Sequence, residues 1–197
     1  IIKELYWRDF YNNILYFFPH VVGGSFKKQY DKIKWFYNKS LFNKWCNGET
    51  GFPIVDACMR QLNETGFMHN RGRMIVASFL TKDLLIDWKM GERYFATRLE
   101  DYNIAANNGG WQWSAGTGAD PQPYFRIFNP WTQAEKYDPD CKYIKKWIPE
   151  LKNVDNKHVH KWFKYCGEHE DVDYPEPILD HDKARLKTLK EYKKTLK

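Results

Sequence analysis

The stretch Asp101-Tyr102-Asn103-Ile104-Ala105-Ala106-Asn107-Asn108-Gly109-Gly110-Trp111-Gln112-Trp113 is where residue types able to do chemistry concentrate. Small residues, amides and a Gly-Gly step let a backbone come close to something bulky, and two indoles follow at once. Such a composition suits the lining of a cofactor and is poor for a helix interior. A second candidate is Met68-His69-Asn70-Arg71-Gly72-Arg73-Met74, polar and basic at the head of a mainly apolar run over 75–85. Two arginines at one end of a buried helix make a floor for an anionic ligand, and the same spacing serves equally well for surface salt bridges. His158, His160, Cys166 and His169 crowd one segment, but they match no standard zinc spacing and no metal site is read there. No Ser-His-Asp or Cys-His constellation suggests a hydrolytic nucleophile.

Composition narrows the partner. The chain of 197 residues is 18% aromatic, with nine tryptophans, and carries a net charge of +6, which together suit a partner with phosphates and flat bases. Core filling and solubility are the ordinary uses of the same residues. With 43% hydrophobic and 28% charged residues the chain is not disordered or collagen-like. No run nears the roughly 18 apolar residues of a membrane span, and the length suits one domain. Residues 1–10 include Lys3, Glu4, Arg8 and Asp9 and read as a helix entered in mid-stride, not as a signal peptide. Cys46, Cys58, Cys141 and Cys166 are scattered without a C-x-x-C pair, which points to a reducing, intracellular compartment.

The elements that must position these residues are helices; no alternating run is long enough for a sheet. Ile2, Leu5, Tyr6, Phe10, Ile14 and Phe17 recur at helical spacing until Pro19 and Gly23-Gly24. Pro53 opens a helix with the apolar stripe Ile54, Val55, Cys58, Met59 and Leu62, stopped by Gly66. A helix is expected over 68–88 and a short amphipathic one over 91–99. Gly116-Thr117-Gly118, Pro121, Pro123 and Pro130 mark a long irregular segment carrying Arg126, with Tyr124, Phe125 and Phe128 to order it. Shorter helices follow over 142–147 and 156–165. The last helix, over 182–197, is expected to turn Leu186 and Leu189 inward and its lysines to solvent.

Taken in order, Gly51-Phe52-Pro53-Ile54-Val55-Asp56-Ala57, Met68-His69-Asn70-Arg71, Asn107-Asn108-Gly109-Gly110-Trp111-Gln112-Trp113 and Pro123-Tyr124-Phe125-Arg126-Ile127-Phe128-Asn129-Pro130 resemble the photolyase/cryptochrome family. The resemblance is closest to class I photolyases that repair cyclobutane pyrimidine dimers, and it runs over nearly the whole chain. It implies an all-α FAD-binding domain of the photolyase/cryptochrome type, reached through a hole in a basic DNA-binding face. It also implies light-driven electron transfer from reduced FAD to a flipped-out dimer in DNA. Over 1–197 the chain resembles the C-terminal part of that domain, truncated at its N-terminus. The N-terminal α/β antenna domain and the segment that holds the cofactor's phosphates would come from a missing portion of the same or a separate chain.

Residue by residue, the resemblance puts Arg73 and Asp101 at the flavin-side ion pair and Asn107 beside the reactive flavin nitrogen. Trp111, Trp88 and Trp35 fall on the electron-transfer chain from the surface. Glu4, Trp7, Met74 and Trp113 match the lesion pocket. Arg8, Asn70, Arg71, Arg126 and Gln133 match the DNA backbone or pocket rim, and Arg8 is placed near the cofactor as well. Asn70 and Met74 stand where six-four photolyases carry two histidines, which favours cyclobutane dimers. Asn103 departs from the family's second aspartate in its Asp-x-Asp flavin motif; its carbonyl can still accept a hydrogen bond from the ring. The alternatives are a cryptochrome or DASH-type light receptor and a flavin-free DNA-binding remnant.

Overall fold

A computed structural model describes residues 2–195; Ile1 lies outside the described residues, as do Leu196 and Lys197 at the end of the expected last helix. The described residues form helices and loops without a strand. The first helices are α1 (Ile2–Phe17), α2 (Lys39–Asn47), α3 (Pro53–Thr65) and α4 (Asn70–Ser78). The apolar stripe of α3 is buried as its spacing requires, with Pro53 in the first turn and Gly66 ending the helix in the left-handed region. Around α3 the core holds Trp45, Phe52, Phe79, Trp88 and Trp162, all essentially without solvent contact.

One buried carboxylate secures the entry to α3. Asp56 accepts from Thr50 N at 2.9 Å, Thr50 Oγ1 at 2.6 Å, Gly51 N at 2.9 Å and Tyr174 Oη at 2.5 Å, so the loop after position 170 is tied to the core. Gly51 has φ +74°, and a Cβ there would stand 2.3 Å from Glu176 O, so only glycine fits this crossing.

The helix expected over 68–88 stops at Ser78, and the short one expected over 91–99 begins earlier, at Trp88. After Ser78 the chain makes a π turn over Phe79–Asp83, Leu85 takes φ +52°, and Asp87 caps α5 (Trp88–Ala96) by accepting from Lys89 N at 3.0 Å. The run is buried in loop and helix alike, so its hydrophobicity carries no mark of where the helix stops.

The stretch after Asp101, expected to be a poor helix, forms α6 (Ile104–Ala115). Its caps outweigh its propensity: Asn103 Oδ1 accepts from Ala106 N at 2.9 Å, and Gly116 closes the C-terminus at φ +81°. Its amides bond to other segments, Asn108 Nδ2 and Gln112 Nε2 each to Val21 O at 3.0 Å, and so do not compete with the helix's own ladder.

The segment over 116–129 is irregular, as its prolines require, and leads through the Asn129 cap into α7 (Pro130–Tyr137). Then come α8 (Lys142–Trp147), α9 (Asn156–His160) and α10 (Trp162–Tyr165), the last two separated at Lys161 where one run was expected. The crowded histidines hold loops: His158 Nδ1 lies 2.8 Å from His169 Nε2, while His160 Nε2 lies 3.0 Å from Pro139 O and 3.3 Å from Cys141 Sγ. No group of three metal-ligating side chains forms among the described residues.

The last helix, α11 (His181–Thr195), docks by another face than expected. Leu186 is 64% exposed and Leu189 half-buried, whereas His181, Thr188 and Tyr192 point inward. Buried polar groups decide this. Asp83 meets His181 Nδ1 at 2.5 Å, the Lys82 carbonyl accepts from Thr188 Oγ1 at 2.5 Å, and Ala115 O accepts from Tyr192 Oη at 2.6 Å and Lys82 Nζ at 2.9 Å. Leaving those groups unpaired would cost more than exposing a leucine. No helix among the described residues is long and apolar enough to cross a membrane.

Candidate functional site

A cavity of 460 Å³ opens between α1, α4, α5, α6 and the loop after Gly116. Two helical stripes make its facing walls. Glu4, Trp7, Arg8 and Tyr11 share one face of α1 through i, i+3 and i, i+4 spacing, and Asn103 at the cap with Ala106, Asn107, Gly110 and Trp111 do the same along α6, with Trp113 beyond. The floor comes from α4, with Asn70, Arg73, Met74 and Ala77, and Phe95 and Leu99 close the apolar end.

The close approach of α1 to α6 depends on Gly109, where a Cβ would fall 2.1 Å from the Tyr11 ring. The same economy of space places Gly91 of α5 against Trp111, where a Cβ would stand 2.2 Å from the indole. Trp111 is thereby held edge-on to Phe95 at 5.0 Å and to Trp45 at 6.0 Å.

Polar groups in the cavity are fixed before any ligand arrives. Arg73 donates through Nη2 to both oxygens of Asp101, at 2.9 and 2.8 Å, and through Nε to Met68 O at 2.7 Å. Asn107 donates through Nδ2 to Glu92 O at 3.0 Å and Glu92 Oε1 at 2.9 Å, which leaves its carbonyl oxygen as an acceptor not used among the described residues. Asn103 Oδ1 already caps α6, so one lone pair of that oxygen and the Nδ2 hydrogens remain. Its side-chain carbonyl therefore has first of all a structural task.

Eleven of the residues singled out in the sequence line this cavity: Glu4, Trp7, Arg8, Asn70, Arg73, Met74, Asp101, Asn103, Asn107, Trp111 and Trp113. The others do not. Arg71 lies over the Tyr137 ring at 4.6 Å, Arg126 is exposed with its guanidinium 5.7 Å from the Phe128 ring, and Gln133 sits on α7 with Oε1 buried and unpartnered. Trp88 is fully buried at the start of α5, and Trp35 is half-buried ahead of α2.

Tyr11 and Asp120 were missed by sequence reasoning. They line the cavity, and burial raises the pKa of both groups, the Asp120 charge adding to the rise at Tyr11. Tyr11 continues the Glu4, Trp7, Arg8 spacing and was legible on that basis; Asp120, in an irregular loop, had no local signal.

The arrangement is a pocket with aromatic rings on both facing helices, a pre-paired cation from α4 and an amide carbonyl on α6 that is left to accept. The family model described as the FAD binding domain of DNA photolyase matches residues 1–194. The deoxyribodipyrimidine photo-lyase of Escherichia coli is 52% identical over 195 residues, which cover 97% of this chain and 41% of that protein. The crystal structure of an archaeal photolyase from Sulfolobus tokodaii with two FAD molecules superposes with a TM-score of 0.92 at 48% identity, over 98% of this chain and 44% of that one. The Synechocystis cryptochrome superposes with a TM-score of 0.89 at 37% identity, over 96% of this chain and 40% of that one. The chain thus spans about two fifths of the length of the relatives it matches.

Proposed function

The chain belongs to the family of the FAD binding domain of DNA photolyase, and on that premise we propose that it is the flavin-holding and lesion-facing part of a light-driven enzyme that splits cyclobutane pyrimidine dimers. The observation that carries this reading is the single cavity that brings Arg73, Asp101, Asn107 and Trp111 together with Trp7, Met74 and Trp113.

The cavity's own groups fit a flavin. A carbonyl acceptor whose amide nitrogen is held by Glu92 suits a ring N–H, and the Arg73–Asp101 pair offers donor and acceptor along a heterocycle edge. When bound and reduced, FAD supplies the light-released electron that opens the dimer, and the electron returns to it afterwards. Asn107 brings no negative charge to that ring, which favours its reduced form. Trp111 stands at the inner end of the electron path that Trp88 and Trp35 continue outward.

Photolyases are among the enzymes that act on a base flipped out of the duplex. Trp7 and Trp113 are the stacking faces for it, each contributing about 1 to 3 kcal/mol per base. Met74 adds an apolar lining group from α4. Arg8, Asn70, Arg71, Arg126 and Gln133 hold the backbone around the opening, positioning the strand without reading its sequence.

In this reading the chain over 1–197 is the C-terminal part of the helical domain. A preceding portion, on the same or a companion chain, brings the antenna domain and covers the outer face of α1, where Ile2, Leu5 and Tyr6 are exposed. The protein works wherever the cell keeps its DNA, with its four cysteines reduced.

The test is an absorption spectrum of the chain incubated with FAD and washed, followed by illumination with dimer-containing DNA, with and without that portion. Retained flavin and restored thymine absorbance support the reading. Flavin bleaching without repair of any dimer substrate transfers the chain to the light receptors, which the likeness to the Synechocystis cryptochrome makes the second reading. A colourless chain that binds DNA without regard to dimers, even beside the preceding portion, refutes both readings.

A further inference from the structure

Trp35 reaches the surface in a setting that neither flavin binding nor DNA binding uses. Its half-buried ring meets Tyr192 of α11 edge-on at 6.4 Å, and the next two residues, Phe36 and Tyr37, are exposed. Phe36 N donates to Leu85 O at 2.7 Å, which fixes this short ring-bearing segment against the body.

The charge around it is one-sided. Residues 27–39 carry the exposed Lys27, Lys28, Lys32, Lys34 and Lys39 against Asp31 alone. From α11, Lys187 places Nζ 4.5 Å from the Phe36 ring centre. The acids facing this point are already engaged: Glu191 with Lys194 Nζ at 2.6 Å, Asp31 with Ser25 N at 2.8 Å, and Asp87 with Lys89 Nζ at 3.6 Å. The Glu191 carboxyl is held below its ordinary range chiefly by that bond to Lys194, and the charges of Lys34 and Lys190 lower it further. Lys34, Lys187 and Lys190 have no carboxylate within ion-pair distance among the described residues.

We propose that this lysine-rimmed outlet is a docking surface for a small anionic one-electron donor, an enolate or thiolate, that restores Trp35. The inference rests on the electron-path reading of Trp111, Trp88 and Trp35. Once the Trp35 indole has passed an electron inward it is one electron short; the donor gives up one electron and is itself oxidised by one. No bond breaks, and the indole keeps its N–H proton. The exposed cations at this outlet, Lys34 next to Trp35 in the chain, Lys187 at the Phe36 ring and Lys190 three residues further along α11, raise the local concentration of an anion and leave a neutral molecule unaffected.

Two measurements separate this from the reading beneath it. In the flavin-free chain, the Trp35 emission is taken as the difference between the parent and Trp35→Phe, and quenched with iodide or with neutral acrylamide. The triple variant Lys34→Glu, Lys187→Glu, Lys190→Glu is expected to lower the iodide constant at least about twofold and leave the acrylamide constant unchanged. An unchanged iodide constant, or a parallel fall with acrylamide, overturns the proposal.

In the FAD-loaded chain, photoreduction is followed with ferrocyanide and with neutral hydroquinone. Support is a fall in the ferrocyanide rate alone in the triple variant, with both rates lost in Trp35→Phe. Loss of both rates in Trp35→Phe with no effect of the charge reversal overturns the docking surface and keeps the path. Both rates intact in Trp35→Phe refutes the path, and with it the donor role. A triple variant that loses DNA affinity instead assigns the lysines to the DNA face and overturns the proposal.

Discussion

Replacing Asn107 by aspartate changes almost no volume but reverses the polarity of one contact. Asn107 Nδ2 stands 2.9 Å from Glu92 Oε1 and 3.0 Å from Glu92 O; a carboxylate would set an oxygen against both acceptors and a second charge beside the first. Two unit charges at that separation repel by about 6 kcal/mol at an effective dielectric near 20, and by about 1.4 kcal/mol in water. Both side chains are half-buried and can rotate apart, so the expected loss of stability for Asn107→Asp is about 2 kcal/mol at pH 7.5.

The new carboxyl would titrate above the roughly 3.9 of a free aspartate, so the native state binds more protons than the unfolded one wherever pH exceeds that value. The deficit is full above the folded pKa and shrinks as pH falls through it. Urea unfolding of Asn107→Asp against the parent should show a deficit of about 2 kcal/mol at pH 7.5 and less than about 1 kcal/mol at pH 4.5. Adding Glu92→Gln, which supplies an N–H donor in place of the repelling oxygen, should remove most of the deficit at pH 7.5. A deficit independent of pH, or no rescue by Glu92→Gln, refutes the inference that Glu92 holds Asn107 in place.

Three further outcomes are expected. Lys82 is buried with no carboxylate partner among the described residues, and burial holds its ammonium well below the ordinary lysine range; Lys82→Met should therefore stabilise the chain in urea melts, with a gain larger at pH 6 than near pH 10, where the unfolded lysine also loses its proton. Gly91→Ala pushes a methyl into Trp111 and should cost about 1 to 3 kcal/mol by thermal melting, with a slower flavin photoreduction as the indole shifts. Arg71→Ala and Arg126→Ala should each reduce the slope of log affinity for DNA against log salt by about 0.9 and leave the preference for dimer-containing DNA unchanged in a filter-binding titration.

The sequence by itself determined the helical class, the stripe and both ends of α3, the irregular loop ahead of Pro130, and, through motifs in order along the chain, eleven of the residues that share the cavity. These are local properties: a proline in a first turn, a glycine at a helix end and apolar spacing along one face act over a few neighbours. Tyr11 was written in the same code, three residues after Arg8 on one face of α1.

Tertiary structure decided the rest. Leu186 lies outward because Asp83, Lys82 and Ala115 O needed His181, Thr188 and Tyr192, and the need of a buried polar group for a partner a hundred residues away leaves no periodic trace. The helix over 104–115 formed from residues of poor propensity because Asn108 and Gln112 found the carbonyl of Val21 and because Asn103 and Gly116 capped its ends. The break after Ser78 lies in a run buried throughout, where hydrophobicity says only that the segment is inside. Propensity and spacing act along the chain, whereas the satisfaction of buried polar groups acts across it, and only the folded molecule shows which partners they found.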